Sequence, residues 1–216
     1  MTTNTKPPTA PLSKVRGVYI IGLIIAAVVF AVTAAAAAGG QSMGWETSLF
    51  RYINDWSWSL QGLFTVITFF GSTWMALVVV VAVFAARAYR LAWRLAITIV
   101  GAYGAAFLAK HFVGRVRPAE MLAHIHTRAV ETGMGFPSGH ATLSTVVALT
   151  LLPYLPKWIG FIGAPIFIGL VCLSRLYLGV HFPLDIIGGM AIGTGAVCVL
   201  RLLPAKLLQA VRLDQK

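Results

Sequence analysis

Long runs of apolar residues constrain this fold more than any other feature of the sequence. The first run extends from Gly17 to Ala38 without a charged residue, and a helix needs about 20 apolar residues to cross a bilayer. The chain is 58% hydrophobic and 11% charged, whereas soluble domains are about half apolar and about a quarter charged. The sequence therefore predicts a helical membrane protein.

Six apolar runs predict an all-α fold, a bundle of six transmembrane helices that forms one domain over residues 17–203. The predicted spans are residues 17–38, 63–86, 96–112, 138–152, 158–178 and 183–203. The alanine-rich end of the first run also resembles a signal-peptide cleavage site, but a run longer than about 15 residues favours a retained helix. Residues 1–16 are predicted to be a disordered cytoplasmic tail and residues 204–216 a basic cytoplasmic tail.

The segment between the first two runs, residues 41–60, is too polar to span a bilayer. It places Leu49, Ile53 and Trp56 on one helical face and carries further aromatic side chains among charged ones. Aromatic residues gather at the boundary between membrane and water, and helices with one apolar face lie there. We therefore predict an interfacial helix between spans one and two.

The positive charges predict how the bundle is oriented. Of the 17 lysine and arginine residues, eleven fall in the tails and loops that share a side with both termini, and four fall in the opposite loops, at positions 51, 115, 117 and 128. Because basic residues concentrate on the cytoplasmic side, both termini are predicted to be cytoplasmic. Topology then explains the net charge of +11 without a nucleic-acid partner. The loop 114–136, the start of span four and the turn between spans five and six all face outward.

Two basic residues, Lys110 and Arg175, lie within the outer ends of predicted spans. A lysine or arginine at the centre of a membrane helix costs about 2.5–3.5 kcal/mol, although near a helix end its charge can extend to the interface. The same level holds Arg117 and the helix start at Ser138 and Gly139, where backbone amides lack helical partners and glycine admits a ligand closely. Together these groups predict a site for a strongly anionic ligand such as a phosphate.

Two histidines and an aspartate are predicted at this level. His181 and Asp185 are four residues apart at the start of the sixth span, so the carboxylate can hold one imidazole nitrogen and leave the other free as a nucleophile or base. His140, in the first turn of the fourth span, is placed to supply a proton. A nucleophile, an orienting carboxylate, an acid and fixed cations are the groups that phosphoryl transfer needs.

These residues form three motifs that occur in order along the chain. The motifs are Lys110-x6-Arg117-Pro118, Pro137-Ser138-Gly139-His140 and Ser174-Arg175-x5-His181-x3-Asp185. They resemble the three-part signature of the type-2 phosphatidic acid phosphatases, a superfamily that also includes vanadium haloperoxidases and glucose-6-phosphatase-like enzymes. No signature position departs from the pattern.

The resemblance implies a role for each signature residue. His181 would attack phosphorus and form a phosphohistidine, Asp185 would orient it, and His140 would protonate the leaving oxygen. The phosphoryl oxygens would be held by five groups, namely the side chains of Lys110, Arg117, Arg175 and Ser138 and the amide of Gly139. The family acts without a metal ion or other cofactor. The remaining histidines, at positions 111, 124 and 126, are predicted to be loop or interface residues.

The outward site and the resemblance together predict a lipid phosphatase of the bacterial cytoplasmic membrane. Its substrate would be undecaprenyl pyrophosphate, or phosphatidylglycerol phosphate or phosphatidic acid, with a lipid A 1-phosphatase as an alternative. Two other classes stay open, a transporter or anion-binding protein that uses the charges as a pathway and a haem carrier with His140 and His181 as axial ligands. The sequence leaves open whether the protein is a monomer or a homodimer.

Overall fold

The computed structural model describes residues 12–203, with side chains from Arg16 onward, and this part of the chain contains α-helices and helical turns but no β-strand. Residues 12–16 of the tail 1–16, which the sequence predicts to be disordered, are helical. Residues 1–11 and the predicted tail 204–216 lie outside the described residues. The α-helices are α1 Leu12–Ala38, α2 Gly44–Asn54, α3 Gln61–Phe69, α4 Thr73–Ala85, α5 Tyr89–Val113, α6 Pro118–Met121, α7 Gly139–Leu151, α8 Ala164–Tyr177 and α9 Pro183–Leu202.

The described chain has four to five segments with the length and apolarity of a membrane span. Four single segments meet both requirements, namely Arg16–Ala38, Tyr89–Met121, Ile159–Tyr177 and Pro183–Leu202. A fifth is the bent pair Trp58–Phe69 and Thr73–Ala85. The protein is thus a multi-pass membrane protein. The predicted fourth span contains α7, whose 13 residues reach only about 20 Å at 1.5 Å per residue.

The predicted second span, residues 63–86, is divided into two helices. The axes of α3 and α4 differ by 46°. Ser72 is the N-cap of α4, and its hydroxyl accepts a hydrogen bond from Met75 N at 3.2 Å. A Cβ at Gly71 would lie 2.4 Å from Val171 Cγ1 and 3.5 Å from His140 Cβ. The break therefore lets the backbone pack closely against α8 and the start of α7.

The segment predicted to lie at the membrane interface forms helix α2 and packs into the bundle. Its buried residues are Glu46, Phe50, Ile53 and Asn54, and it contacts α8 and α9. The predicted apolar face is correct only in part, since Ile53 is buried whereas Leu49 is 41% exposed. Glu46, rather than Leu49, is buried on the inner face of α2, because its carboxylate binds the buried Arg115 described below.

Helix α7 lies at the centre of the bundle, against α5, α8 and α9. Two small residues of α9 permit this packing, because a Cβ at Gly189 would lie 2.5 Å from Ser138 O and a Cβ at Gly193 would lie 2.7 Å from Thr142 O. Small residues at this spacing allow membrane helices to approach backbone to backbone. The packing aligns the starts of α7 and α9 at one end of the bundle.

Candidate active site

Four helix ends and the loop 114–136 converge at this end of the bundle. Helix α5 ends at Val113 and is capped by Gly114, which has a positive φ of 64°. Helix α8 ends at Tyr177, four residues before His181. Ser138 caps α7, with its Oγ accepting a 3.5 Å hydrogen bond from Ala141 N. Ser138 N donates to the Asp185 carbonyl oxygen at 2.9 Å. This last bond joins the second and third motifs directly.

One carboxylate, that of Glu131, connects the two arginines predicted to bind phosphate. Glu131 Oε2 lies 3.0 Å from Arg117 Nη1, and Glu131 Oε1 accepts a hydrogen bond from Arg175 Nη2. The Nε2 atom of His181 lies 4.0 Å from Glu131 Oε2. A carboxylate thus occupies an anion site that faces the predicted nucleophile. The sequence motifs did not include this residue.

The two arginines are held in place by further contacts. Arg117 Nη1 donates to Val180 O at 2.9 Å and its Nε donates to Gly133 O at 2.9 Å. Arg175 Nη1 donates to Thr68 Oγ1 at 2.6 Å. These bonds tie Arg117 to the loop and to the turn before α9, and Arg175 to α3, while both guanidinium groups still reach Glu131. Such preorganised cations suit a phosphoryl group.

The charge of Glu131 is set by its neighbours. Partial burial raises the pKa of its carboxyl, but Arg175, which has the largest opposing effect, favours the ionised form, and the pKa falls to about 2. Glu131 therefore carries a negative charge at neutral pH.

His181 has the environment of a neutral nucleophile. It is buried, and its Nδ1 lies 3.4 Å from Asp185 Oδ2 but has no hydrogen-bond partner among the described residues. Burial, followed by the charges of Arg175 and Arg117, lowers the pKa of His181 well below its ordinary value. The imidazole is neutral at neutral pH, and Nε2 has the lone pair when the proton is on Nδ1, the nitrogen that faces Asp185.

Lys110 contributes to the same site from the last turn of α5. Its Nζ donates to Met134 O at 2.6 Å, and its charge acts on His181. Gly139 and His140 occupy the first turn of α7. The sequence-predicted site residues therefore lie on the converging helix ends, apart from Arg117 in the loop and His181 in the turn before α9.

Buried charges beneath the site were not predicted. Arg115 Nη1 lies 2.9 Å from Asp185 Oδ1, and Arg115 Nη2 lies 2.6 Å from Glu46 Oε2, with all three side chains fully buried. The sequence places Arg115 in the loop 114–136, where it lies, but does not indicate that its side chain is buried. The position of Arg115, two residues before Arg117, is the only sequence signal that it belongs to the site, whereas nothing in the sequence links Glu46 to Arg115.

Arg128 is a second charge of the loop 114–136 that is buried. Its guanidinium donates to the carbonyl oxygens of Asn54, Trp56 and Tyr177 and stacks over the Tyr177 ring. It therefore anchors the loop 114–136 to the segment after α2. The loop is therefore held in a fixed position and forms part of the site.

The family of this chain follows from its sequence as a whole. The sequence profile of the PAP2 superfamily matches residues 91–208, which is more than half of the 216 residues. The chain belongs to the PAP2 superfamily. Its signature residues, recognised above as those of type-2 phosphatidic acid phosphatases, all lie inside the matched range. As a PAP2 phosphatase, the protein is a phosphoric-ester hydrolase.

Relatives of this PAP2 phosphatase include enzymes that act on different lipids. The undecaprenyl-diphosphatase of Sulfolobus acidocaldarius is 31% identical over 160 residues, which cover 72% of this chain and 77% of that protein. The crystal structure of Aquifex aeolicus LpxE matches with a TM-score of 0.69 at 25% identity, over 74% of this chain and 97% of LpxE. A PAP2-type phosphatidylglycerolphosphate phosphatase from Bacillus subtilis shares the fold, with a TM-score of 0.66 at 24% identity over 89% of this chain and 98% of that one.

This PAP2 phosphatase has further histidines outside the site, and the contacts of two of them are local. Within residues 12–203 no three or more His, Cys, Asp or Glu side chains are grouped to hold a metal ion. His111 contacts Phe107 O at 2.9 Å on α5, so it is a helix residue rather than a loop residue. The backbone N–H and carbonyl of His126 bind the Asn54 side chain, which is a structural role.

Proposed function

We propose that this PAP2 phosphatase hydrolyses a membrane lipid phosphate or diphosphate through a phosphohistidine formed on His181. The observation that carries the proposal is the position of the Glu131 carboxylate. It bridges Arg117 and Arg175 and lies 4.0 Å from His181 Nε2. An anionic group held there by both guanidinium groups is already next to the nucleophile.

In the proposed reaction the substrate phosphoryl group displaces the Glu131 carboxylate. Arg117, Arg175 and Lys110 then neutralise the phosphoryl oxygens, together with the first-turn amides of α7, where the helix dipole favours an anion. His181 Nε2 forms a bond to phosphorus, and the bond to the leaving oxygen breaks with its electron pair on that oxygen. His140, in its protonated form, donates its proton to the leaving oxygen and becomes neutral.

The second step returns the enzyme to its starting state. His140, now neutral, takes a proton from a water molecule, whose oxygen attacks phosphorus while the bond between phosphorus and Nε2 breaks. Inorganic phosphate leaves and His181 is regenerated. Glu131 can then re-bind the arginines and hinder the return of phosphate.

We propose that this site faces outward in the bacterial cytoplasmic membrane. Six spans result if the bent pair α3 and α4 is the second span and α7, with the 3₁₀ turn Leu152–Tyr154, is the fourth. Both termini are then cytoplasmic, as the basic residues indicate. Helix α2 lies beside the site at the outer interface, where tryptophan and tyrosine side chains are favourable.

An apolar groove supports a long hydrocarbon chain as the lipid tail. It has a volume of about 810 Å³ and lies between α1, α5 and α9. On α5 it extends from Ile97 to Val113 and includes Ala109, the residue before Lys110. At 1.5 Å per residue this wall is about 24 Å long, which exceeds half of a hydrocarbon core of about 30 Å. A tail that passes the bilayer midplane fits this length, so undecaprenyl diphosphate is the substrate that we favour.

Filling this groove is expected to slow turnover of long-chain substrates. Gly101 lines the groove, whereas Gly104, on the same helix and also exposed, does not. A Cβ at either position has open space, so neither change strains the fold. Gly101→Phe is expected to raise KM for undecaprenyl diphosphate about tenfold and to affect a short-chain analogue such as farnesyl diphosphate less, while Gly104→Phe leaves both unchanged. Equal effects of the two variants would contradict the assignment.

Removing the charge of Glu131 is expected to strengthen anion binding. In Glu131→Gln the arginines no longer face a competing carboxylate, so the inhibition constant of inorganic phosphate should fall about tenfold, equivalent to about 1.4 kcal/mol. Because the pKa of Glu131 is about 2, the competition by the wild-type carboxylate should persist at every pH from about 4 upward.

The matched control for this prediction is Glu120→Gln, which removes an exposed carboxylate from α6 in the same loop region. It should leave phosphate inhibition at the wild-type level. An unchanged inhibition constant in Glu131→Gln would show that the phosphoryl group does not take the position of the carboxylate.

Phosphate release by purified protein in detergent with EDTA tests the proposed function. The substrates are undecaprenyl diphosphate, phosphatidylglycerol phosphate, phosphatidic acid and lipid A, each with a His181→Ala blank. We expect release to persist in EDTA, with undecaprenyl diphosphate the fastest. If folded protein releases phosphate from none of them, a transport or anion-binding role replaces hydrolysis.

A further inference from the structure

Two buried residues outside the family signature, Glu46 and Arg115, connect helix α2 to the proposed nucleophile. Arg115 contacts Asp185 Oδ1 at 2.9 Å and both oxygens of Glu46, at 2.9 and 2.6 Å. Asp185 in turn places Oδ2 3.4 Å from His181 Nδ1. The side chains of Glu46, Arg115 and Asp185 have no exposed surface.

The carboxylates of Glu46 and Asp185 also fix the turn that carries His181. Asp185 Oδ2 accepts a hydrogen bond from Phe182 N at 2.8 Å, and Glu46 Oε1 accepts one from Leu184 N at 3.0 Å. The Arg115 guanidinium lies over the Phe182 ring, 4.7 Å from its centroid. The start of α9, directly after the nucleophile, is therefore held by α2 as well as by its own residues.

The cations around His181 disfavour a positive charge on its ring, and the side chains of Glu46, Arg115 and Asp185 can offset this effect. Lys110 on α5, Arg117 in the loop and Arg175 on α8 are the cations near its ring, and Glu131 in the loop, Asp185 on α9 and the titratable His140 on α7 also face the site. When Nε2 bonds to phosphorus and Nδ1 keeps its proton, the ring becomes cationic. The cations that bind phosphate oppose that charge.

We propose that Glu46 and Arg115 are positioning residues that hold Asp185 in place and keep the buried side of His181 at a net charge of −1. One arginine between two carboxylates leaves this net charge, which balances the cationic ring of the phosphohistidine. If Glu46 were neutral, the Arg115–Asp185 pair alone would have no net charge. This inference rests on the proposed function, because it concerns the same nucleophile.

The proposal is tested with Glu46→Gln, which keeps the shape of the side chain and removes its charge. We expect kcat for phosphate release to fall about 30-fold while KM changes less than threefold, since the phosphate ligands are untouched. The acid limb of the profile of kcat/KM against pH should move to lower pH, because a less negative environment disfavours the protonated imidazole. Glu46→Asp, which keeps the charge, should restore the wild-type position of that limb.

A purely structural role would have a different result. Glu46→Gln would then lower the amount of folded protein and its unfolding temperature, with kcat per folded molecule and the acid limb unchanged, and this outcome would overturn the inference. If Glu46→Gln does not fold, Arg115→Gln carries the test, because it leaves two carboxylates on the buried side and should move the acid limb to higher pH. An acid limb at the wild-type position in folded Arg115→Gln would also overturn the inference. Failure of the wild-type enzyme to release phosphate would instead refute the proposed function, so the two failures are distinguishable.

Discussion

The His181→Ala variant is expected to lose phosphate release by more than about 10⁴-fold, as expected when a covalent nucleophile is removed. No other described side chain combines a neutral imidazole with a position 4.0 Å from the carboxylate that bridges the arginines. The fold should survive the change, because Nδ1 of His181 makes no hydrogen bond within residues 12–203. Thermal unfolding and phosphate binding measured on the same preparation provide the control. Activity within tenfold of wild type would refute the assignment.

The second large effect is expected for Arg175→Gln. The Arg175 guanidinium connects Thr68 of α3 to the anion site and is almost completely buried. Its fixed positive charge can stabilise the negative charge that develops on the phosphoryl group. Removing one such preorganised group costs about 10²–10³ in kcat. We expect a fall of this size in kcat/KM, and a smaller one for Arg175→Lys, which keeps the charge but not the planar two-sided geometry.

Arg51→Gln is the matched control for Arg175→Gln. Arg51 is an arginine of the same outer region, and its bonds to Ala123 O and His124 O are exposed. It should keep wild-type kcat/KM. Equal losses in the two variants would indicate that general loss of positive charge, rather than the position of Arg175, is responsible.

Much of the site could be predicted because its residues are tied to helix ends. Ser138 is the N-cap of α7 and Pro183 is the first residue of α9, and such boundaries can be recognised locally. Positive charges then place these ends at the same level. Local rules and membrane topology together therefore bring all three motifs to one place.

The contacts that were missed join residues far apart in sequence. Glu46 and Arg115 are 69 residues apart, and their pairing depends on how α2 packs against α9, which no local pattern encodes. Glu131 lies in a loop whose course is set by Arg128 and Asn54. The sequence shows a charge in each case but not whether it faces water or a buried partner.

The break between α3 and α4 was missed for a different reason. Gly71 and Ser72 are a visible signal for a helix boundary, but the surrounding residues are apolar enough to indicate one span. The interpretation followed hydropathy over 63–86, whereas the backbone follows the close approach of Gly71 to Val171. Hydropathy reports burial in lipid and does not report where a helix bends.

The central claim, that His181 carries the phosphoryl group, is tested most directly by rapid quenching. Wild-type protein and His181→Ala are mixed with undecaprenyl diphosphate labelled with ³²P at the terminal phosphate and stopped within milliseconds to seconds. We predict protein-bound label that is lost in acid, survives alkali, maps to His181 and is absent from the variant. Phosphate release by wild-type protein without labelled protein at any time, or the same label in His181→Ala, would contradict the account.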